Sequence, residues 1–495
     1  MSGATTQAPA GGMQRIPLSF ESYQDASLPM SAKRLLNLYA EETPSDARAP
    51  FKLAPTPGLV ATVSVYPDWG AVGSGPVTAM NGDFPGTFFV VSGDHFYRVN
   101  QPVLYGPLVI TDLGFVGFPA GADYTTNLMP TIAVGVNAVV VCIPPNAYTC
   151  GLFDSAINQI GGTFPGARSV AYLDGYFVFT SDELDSKFFC SLLLDPTQFD
   201  ALDFAYADGV PNILRRVMVL RGELWLLGEG ALEVWYDAGS SGLETTPGTS
   251  FFPFRKRAGG VIPYGTSAAK TAAICDNSLF WVTNLGMVMR SKGYAAERVS
   301  THAIEQIILE RLSVAVVAAL SWTWDGHSFY AVSFADRTLV YDCATQRWHE
   351  RSTSVDGAGP WLPLSTAKFN EQFVFGGAAN GVLYLQSPTD RTEAAINVIR
   401  QAIMPPLWAA TRRGFCARLE IELESGGGLP VELAWSDDGG HNFTGGPRHL
   451  TTGATGRSRV FTTRLGSFRQ RSFKVTGSGN LTIYGLDADI APGVS

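Results

Sequence analysis

Charge is scarce in this chain of 495 residues: Asp, Glu, Lys and Arg make up only 16%, and the formal balance is -9. A continuous basic surface that grips nucleic acid by displacing many counterions is therefore excluded, although a surface past which DNA slides is not. Long hydrophobic runs are also missing. The longest apolar block, Val314 to Leu320, is far shorter than the ~18 residues of a membrane span, so no membrane insertion is expected. Met1 to Met13 has neither the charged start nor the apolar centre of a signal peptide, and no secretory leader is expected. The six cysteines, Cys142, Cys150, Cys190, Cys275, Cys343 and Cys416, stand singly with no C-x-x-C pair. They read as buried free thiols in a protein that folds in a reducing cytoplasm.

Turn formers and aromatics are plentiful. Gly 53 and Pro 30 make about a sixth of the chain and aromatics reach 12%, which points to an all-β protein. A Gly or Asn followed by an apolar, aromatic-rich strand recurs seven times, at Gly86, Asn137, Gly175, Gly222, Asn277, Gly326 and Asn370. The spacing brackets the ~40–50 residues of one four-stranded propeller blade. Each turn residue suits the positive φ of a tight hairpin, and each following strand is apolar on both faces, as a strand between neighbouring blades must be. A β-propeller of six or seven blades is expected, the ambiguity arising because the first blade can be completed from the far end of the ring. Tyr341, Asp342, Thr345 and Trp348 in one unit, and Gly376 with Gly377 in the next, resemble kelch repeats, in which the Trp packs between blades.

The regularity breaks in recognisable places. Residues 1–60 read as a flexible N-terminus and an extended arm, with Leu35 to Tyr39 and Pro55 to Leu59 as its distinctive stretches. Residues 61–388 read as the propeller and 389–395 as a linker. Residues 396–495 carry a new set of alternating strands that suggests a C-terminal β-sandwich. Inside the propeller, residues 238 to 266 read as a long loop carrying Phe251, Phe252, Phe254, Arg255, Lys256 and Arg257. Basic residues interleaved with aromatics make that loop the candidate contact for the channel or for a partner. Ser300 to Leu312 reads as a helix with Ile304, Ile307, Ile308 and Leu312 on one face.

No motif assembles an active site. Ser436, Asp438, Gly440 and Phe443 fit the Asp-box of sialidases, a hairpin in which short polar side chains bond the turn backbone and the aromatic plugs the fold. It is a structural turn even there, and it occurs once, outside the propeller. Asp182, Glu183 and Asp185 are adjacent acids in a polar loop, not a spaced catalytic pair. The histidines show no metal-binding spacing, and there is no nucleophile elbow or phosphate loop. No catalytic residue, cofactor or metal is expected.

Several segments in order resemble the tail hub proteins of P22-like podoviruses, also called packaged-DNA stabilisation proteins. They are Leu35 to Tyr39 with Pro57 to Leu59, Arg221 to Tyr236, Val299 to Ile308, Leu339 to Asp342 with Trp348, and Leu465 to Val475. The resemblance is collinear over almost the whole chain. It implies a structural virion protein of the tail, assembled in the host cytoplasm, that forms a ring (a hexamer) below the portal and its adaptor ring. That ring continues the channel for packaged double-stranded DNA, stabilises the DNA and docks a needle or nozzle and tailspikes or fibres. The alternatives are a distal tail nozzle protein or, from another class, a carbohydrate-binding or glycosidase-like propeller or a kelch-type adaptor. On the leading reading the purified chain releases no sugar from sialosides or polysaccharides; turnover that vanishes on replacing a named acidic residue would overturn it.

Overall fold

In the computed structural model, the described residues are 12–24, 30–44, 50–65, 70–101, 107–117, 129–239, 252–312, 316–409, 413–425, 430–450 and 456–493. Among them, seven four-stranded antiparallel blades follow one another. Blade 1 spans 77–115, blade 2 131–159, blade 3 167–206, blade 4 214–262, blade 5 273–298 and blade 6 316–351. Blade 7 takes three strands from 363–387 and its outer strand, Gly58–Ala61, from the segment before blade 1. The ring is thus closed by an early strand on the last blade, while blade 1 draws all four of its strands from 77–115.

The recurring Gly/Asn positions are the turns between the first two strands of each blade. Five turns have two successive residues at positive φ: Asp174 and Gly175, Arg221 and Gly222, Asp276 and Asn277, Asp325 and Gly326, and Asn370 and Glu371. That is the primed turn geometry whose twist matches the flanking strands. Asn137 differs; it is not among the positive-φ residues, so the expectation that every repeat residue is left-handed fails there.

The strand after each turn is buried on both faces, and its alternate side chains enter two separate cores. Phe89 and Val91 of blade 1 pack with Val139 and Val141 of blade 2. Phe88 and Val90 of the same strand pack with Phe369 and Val374 of blade 7. The pattern passes around the ring, through Phe177 and Phe179 toward blade 2 and Val178 toward blade 4. It continues through Trp225 and Trp281 between blades 4 and 5, and Phe280 and Tyr330 between blades 5 and 6. Trp322 and Phe375 complete it between blades 6 and 7. Seven such cores make a closed ring, and the period-2 alternation of a strand is what splits each one between two neighbours.

The segment expected as an extended arm joins the sandwich from Met13 onward; residues 1–11, expected as a flexible terminus, lie outside the described residues. Met13–Ile16 pairs with Thr482–Pro492, and Leu38–Glu42 and Phe51–Pro55 extend the same sheet. Ala32–Leu36 pairs with Ile399–Ile403 in the facing sheet. Ile16, Leu35, Leu38 and Leu53 share one core with Leu419, Leu433, Phe473 and Leu486. The arm is extended because it supplies strands, whose unpaired backbone groups would otherwise be exposed edges. Ala32–Leu36 also touches Arg347–Arg351 of blade 6 in parallel at Leu36 and Glu350, so the sandwich sheet continues the blade.

Asn37 fixes this junction. Wholly buried at φ 53°, its Nδ2 donates to the carbonyls of Ser352 and Ile399, at 3.1 and 2.9 Å, and its Oδ1 accepts from the Ser352 N–H at 3.0 Å. The stretch 389–395, expected as a linker, sends one residue into the interior. Glu393 is fully buried, accepts from Arg351 at 2.6 Å and from the Trp361 indole at 2.9 Å, while Arg351 donates to Pro57 O at 2.8 Å. One ion pair therefore ties together the arm, blade 6, the approach to blade 7 and the connection to the sandwich. The helix appears at His302–Leu312, with Ile304 and Ile308 buried against blades 5 and 6.

Glu393→Ala leaves the Arg351 guanidinium buried without its partner, which costs about 3–5 kcal/mol. Urea denaturation is expected to show that loss; a change below about 1 kcal/mol would mean that the pair does not hold the junction.

Candidate functional site

The first strands of the blades surround the propeller axis and enclose a cavity of about 360 Å³ to which all seven contribute. At about 30 Å³ per water this is room for roughly a dozen waters, far too little for a DNA duplex. Five first strands carry a β-bulge near their beginning, between Val77 and Ala79, Ala167 and Ser169, Leu214 and Arg216, Val316 and Ala318, and Pro363 and Ser365. A bulge breaks the regular ladder and re-aims backbone groups. Just beyond two of them, the Val170 N–H donates to Thr131 Oγ1 at 3.0 Å and the Val217 N–H to Ser169 Oγ at 2.9 Å. Ser365 Oγ donates to Val77 O at 2.7 Å. Hydroxyls thus lace blades 2 to 3, 3 to 4 and 7 to 1 around the axis.

Arg215 and Arg216, adjacent on the first strand of blade 4, have different partners. Arg215 pairs with Glu229. Arg216 lines the cavity, and its Nη1 donates to the carbonyls of Ala272 and Ala269, at 2.8 and 3.3 Å. Burial pushes its guanidinium down to about 10. This position was legible only in the bulge that turns it inward, and sequence offers no sign of that bulge.

The expected loop contact is placed differently by the structure. Phe251 lies outside the described residues. Phe254–Ile262, including Arg255, Lys256 and Arg257, is the outer strand of blade 4. Phe254 is buried, and Phe252 packs on Phe188 with ring centroids 5.4 Å apart. Lys256 pairs with the buried Glu233 at 3.2 Å, and Arg257 pairs with Glu223 while stacking on Tyr236. Arg255 donates to the carbonyls of Phe252 and Phe254, and its side chain is exposed. Sequence missed the acids Glu223 and Glu233, which arrive from the neighbouring strands of the same blade.

The Asp-box residues form a self-bonded turn in the sandwich. Ser436 Oγ accepts from the Gly440 N–H at 2.8 Å, and Asp438 accepts from the Asn442 N–H at 3.0 Å. The Asn442 N–H and then the Ser436 hydroxyl, which donates to Asp438, push the Asp438 carboxyl down to about 2. Gly440, at φ 94°, abuts Ala32 of the arm, and the Phe443 ring lies half-buried under the Lys474 ammonium, 4.6 Å from its centroid. In the kelch-like blade, Asp342 accepts from Thr345 Oγ1 at 2.7 Å and from the Ala344 N–H at 3.0 Å. Tyr341 and Trp348 sit 5.2 Å apart in the core between blades 5 and 6, and the Trp348 indole donates to Val299 O at 3.0 Å. Among the described residues, no three His, Cys, Asp or Glu side chains gather where a metal ion could sit. All six cysteines are free.

A closed seven-bladed ring, sealed by a strand from outside its repeats, defines a β-propeller, here fused to a sandwich. The family model described as Phage_stabilise, "Bacteriophage P22 Gp10, beta-propeller", matches residues 77–390, and the chain belongs to this family of bacteriophage structural proteins. No curated protein matches it. Among solved structures, PorZ, a surface component of the type-IX secretion system of Porphyromonas gingivalis, aligns with 71% of this chain at 12% identity and a TM-score of 0.36. The aligned part is 44% of that protein's chain, and nothing is inferred from it.

Two buried histidines beside the arm give the stability a pH signature. Burial pushes His349 down to about 3, whereas the hydrogen bond to Asp342, 2.8 Å away, raises His327. The His349 contribution is whole above the unfolded value of about 6.5 and falls as pH drops, by up to about 1.4 kcal/mol per unit. That of His327 has the opposite sign: it is present below about 6.5 and lost as pH rises through its raised value. The stability gap between wild type and His349→Asn is expected to narrow steadily from ~pH 6.5 to ~pH 5 in denaturant titrations. Parallel profiles would show that His349 is not held neutral.

Proposed function

We propose that this chain is the tail hub subunit of a short-tailed phage, forming a ring, a hexamer, below the portal and its adaptor. In the virion that ring continues the DNA channel, retains packaged DNA and docks the needle or nozzle and the tailspikes or fibres. Membership of the phage stabilisation family over residues 77–390 carries the reading. The axial cavity of about 360 Å³ adds a constraint: DNA passes between subunits, around a ring axis, and not through a propeller. A net charge of -9 suits such a passage, because few neutralised phosphates mean little affinity to overcome during ejection. The role is structural and not catalytic. Within it, Arg255 is the exposed cation of the blade 4 outer strand and the proposed contact with DNA or a neighbouring protein, since Lys256 and Arg257 already hold Glu233 and Glu223.

A propeller buries its own cores and needs no partner, whereas a ring of repeated head-to-tail contacts gains from a template that sets its closure. Light scattering of the isolated chain is expected to show monomer, and mixing with a portal–adaptor assembly to yield a ring visible by electron microscopy. A stable hexamer alone at low micromolar concentration would refute templating, and density at the distal tip would replace the hub by the nozzle. In virions carrying Arg255→Ser, a DNA contact shows as a shallower salt dependence of genome leakage and a protein contact as incomplete tails; wild-type behaviour in both removes Arg255 from the interface.

A further inference from the structure

Beside the axial cavity, where the first strands of blades 3 and 4 begin, lies a pocket of about 50 Å³. Arg168, Arg215 and Arg216 all line it, together with Thr131 and Ser267. The three guanidinium groups are not equally neutralised. Arg215 is paired with Glu229, and Arg168 lies 3.7 Å from Asp182 and donates to that residue's carbonyl at 2.6 Å. Arg216 has carbonyl partners alone; among the described residues no carboxylate forms an ion pair with it. The Nε atoms of both Arg168 and Arg216 are buried and donate to nothing.

Arg216 is half-buried and held by its two carbonyl bonds, so three guanidinium groups meet at this pocket with only two carboxylates, Glu229 and Asp182, beside them. Gathering like charges is unfavourable unless further counter-charge is supplied. Guanidinium groups present fixed N–H donors suited to oxyanions, and the available volume matches one small ion where a water takes about 30 Å³. A phosphodiester carries a sugar on each side and does not fit.

We infer that this pocket binds one free oxyanion of the phosphate or sulfate class, held by the guanidinium groups of Arg168, Arg215 and Arg216 that line it. The ion supplies the missing counter-charge and bridges blades 3 and 4 at one mouth of the axial cavity. The inference is independent of the hub reading, since it concerns the isolated subunit.

The test is thermal unfolding of the full chain with increasing inorganic phosphate at constant ionic strength. Wild type is expected to show a saturable rise of roughly 3 °C at a hundredfold excess over the dissociation constant. Arg216→Gln removes one of the three guanidinium groups, so it should lose the saturable rise, whatever its melting temperature without phosphate once the bonds to Ala269 and Ala272 are gone. Phosphate also stabilises proteins by exclusion from their surface. An equal rise in wild type and Arg216→Gln would therefore assign the whole effect to exclusion and overturn the site. Should Arg216→Gln fail to fold, phosphorus NMR line broadening on wild type, relieved in Arg168→Gln, decides the question; no broadening overturns the proposal. Equal stabilisation by a short oligothymidylate would overturn the assignment to a free ion.

Discussion

The architecture depends on one constraint, the double burial of each blade's second strand. Because side chains alternate across a strand, Phe88 and Phe89 serve different blade pairs although they are neighbours in sequence. No blade can bury its own second strand, so none is stable alone, and the ring is the smallest unit that satisfies all seven. Large side chains suit this geometry: Trp225, Trp281, Phe280 and Trp322 fill wedges that widen away from the axis. Near the axis, where the strands crowd together, the work passes to hydroxyls such as Thr131, Ser169 and Ser365, which reach the backbone of the next blade.

The sandwich is joined to the propeller by polar interactions that are mostly buried. Asn37 and Glu393 each take hydrogen bonds from segments far apart in sequence. Such groups contribute less net stability than apolar packing of equal size, but they leave few alternative arrangements, because any shift strands a donor or a charge. The junction is therefore a specific joint, and the continuous sheet from blade 6 through Ala32–Leu36 gives it stiffness.

What could be read in advance followed the range of the interactions. The blade repeat, the strands after Gly86 or Gly326 and the helix at His302–Leu312 are local patterns, visible in a single stretch of chain. The pairing of the arm with strands near both ends of the sandwich is not local; Leu38 and Leu53 look like any isolated apolar residues until Leu486 lies beside them. The charged residues were the least legible. Arg255 to Arg257 looked like a free cluster in a loop because Glu223 and Glu233 meet them only across a blade. Nothing local marks Arg216 as a residue of the axial cavity, because the register shift between Leu214 and Arg216 leaves no trace in sequence.

Closure by an early strand also sets an order of events during synthesis. Gly58–Ala61 leaves the ribosome before any blade exists, yet its partner strand is finished only at Ser387. At ~5–20 residues per second that interval is on the order of tens of seconds. The strands of the arm wait still longer, since their partner Thr482–Pro492 follows all seven blades. Throughout that time the nascent chain carries unpaired strand edges and half-covered blade faces, the surfaces most prone to pair with a second copy. A host cell making many copies at once therefore confronts a crowd of open rings, and the fold's dependence on its two distant ends becomes a matter of chaperone supply and translation rate as much as of sequence.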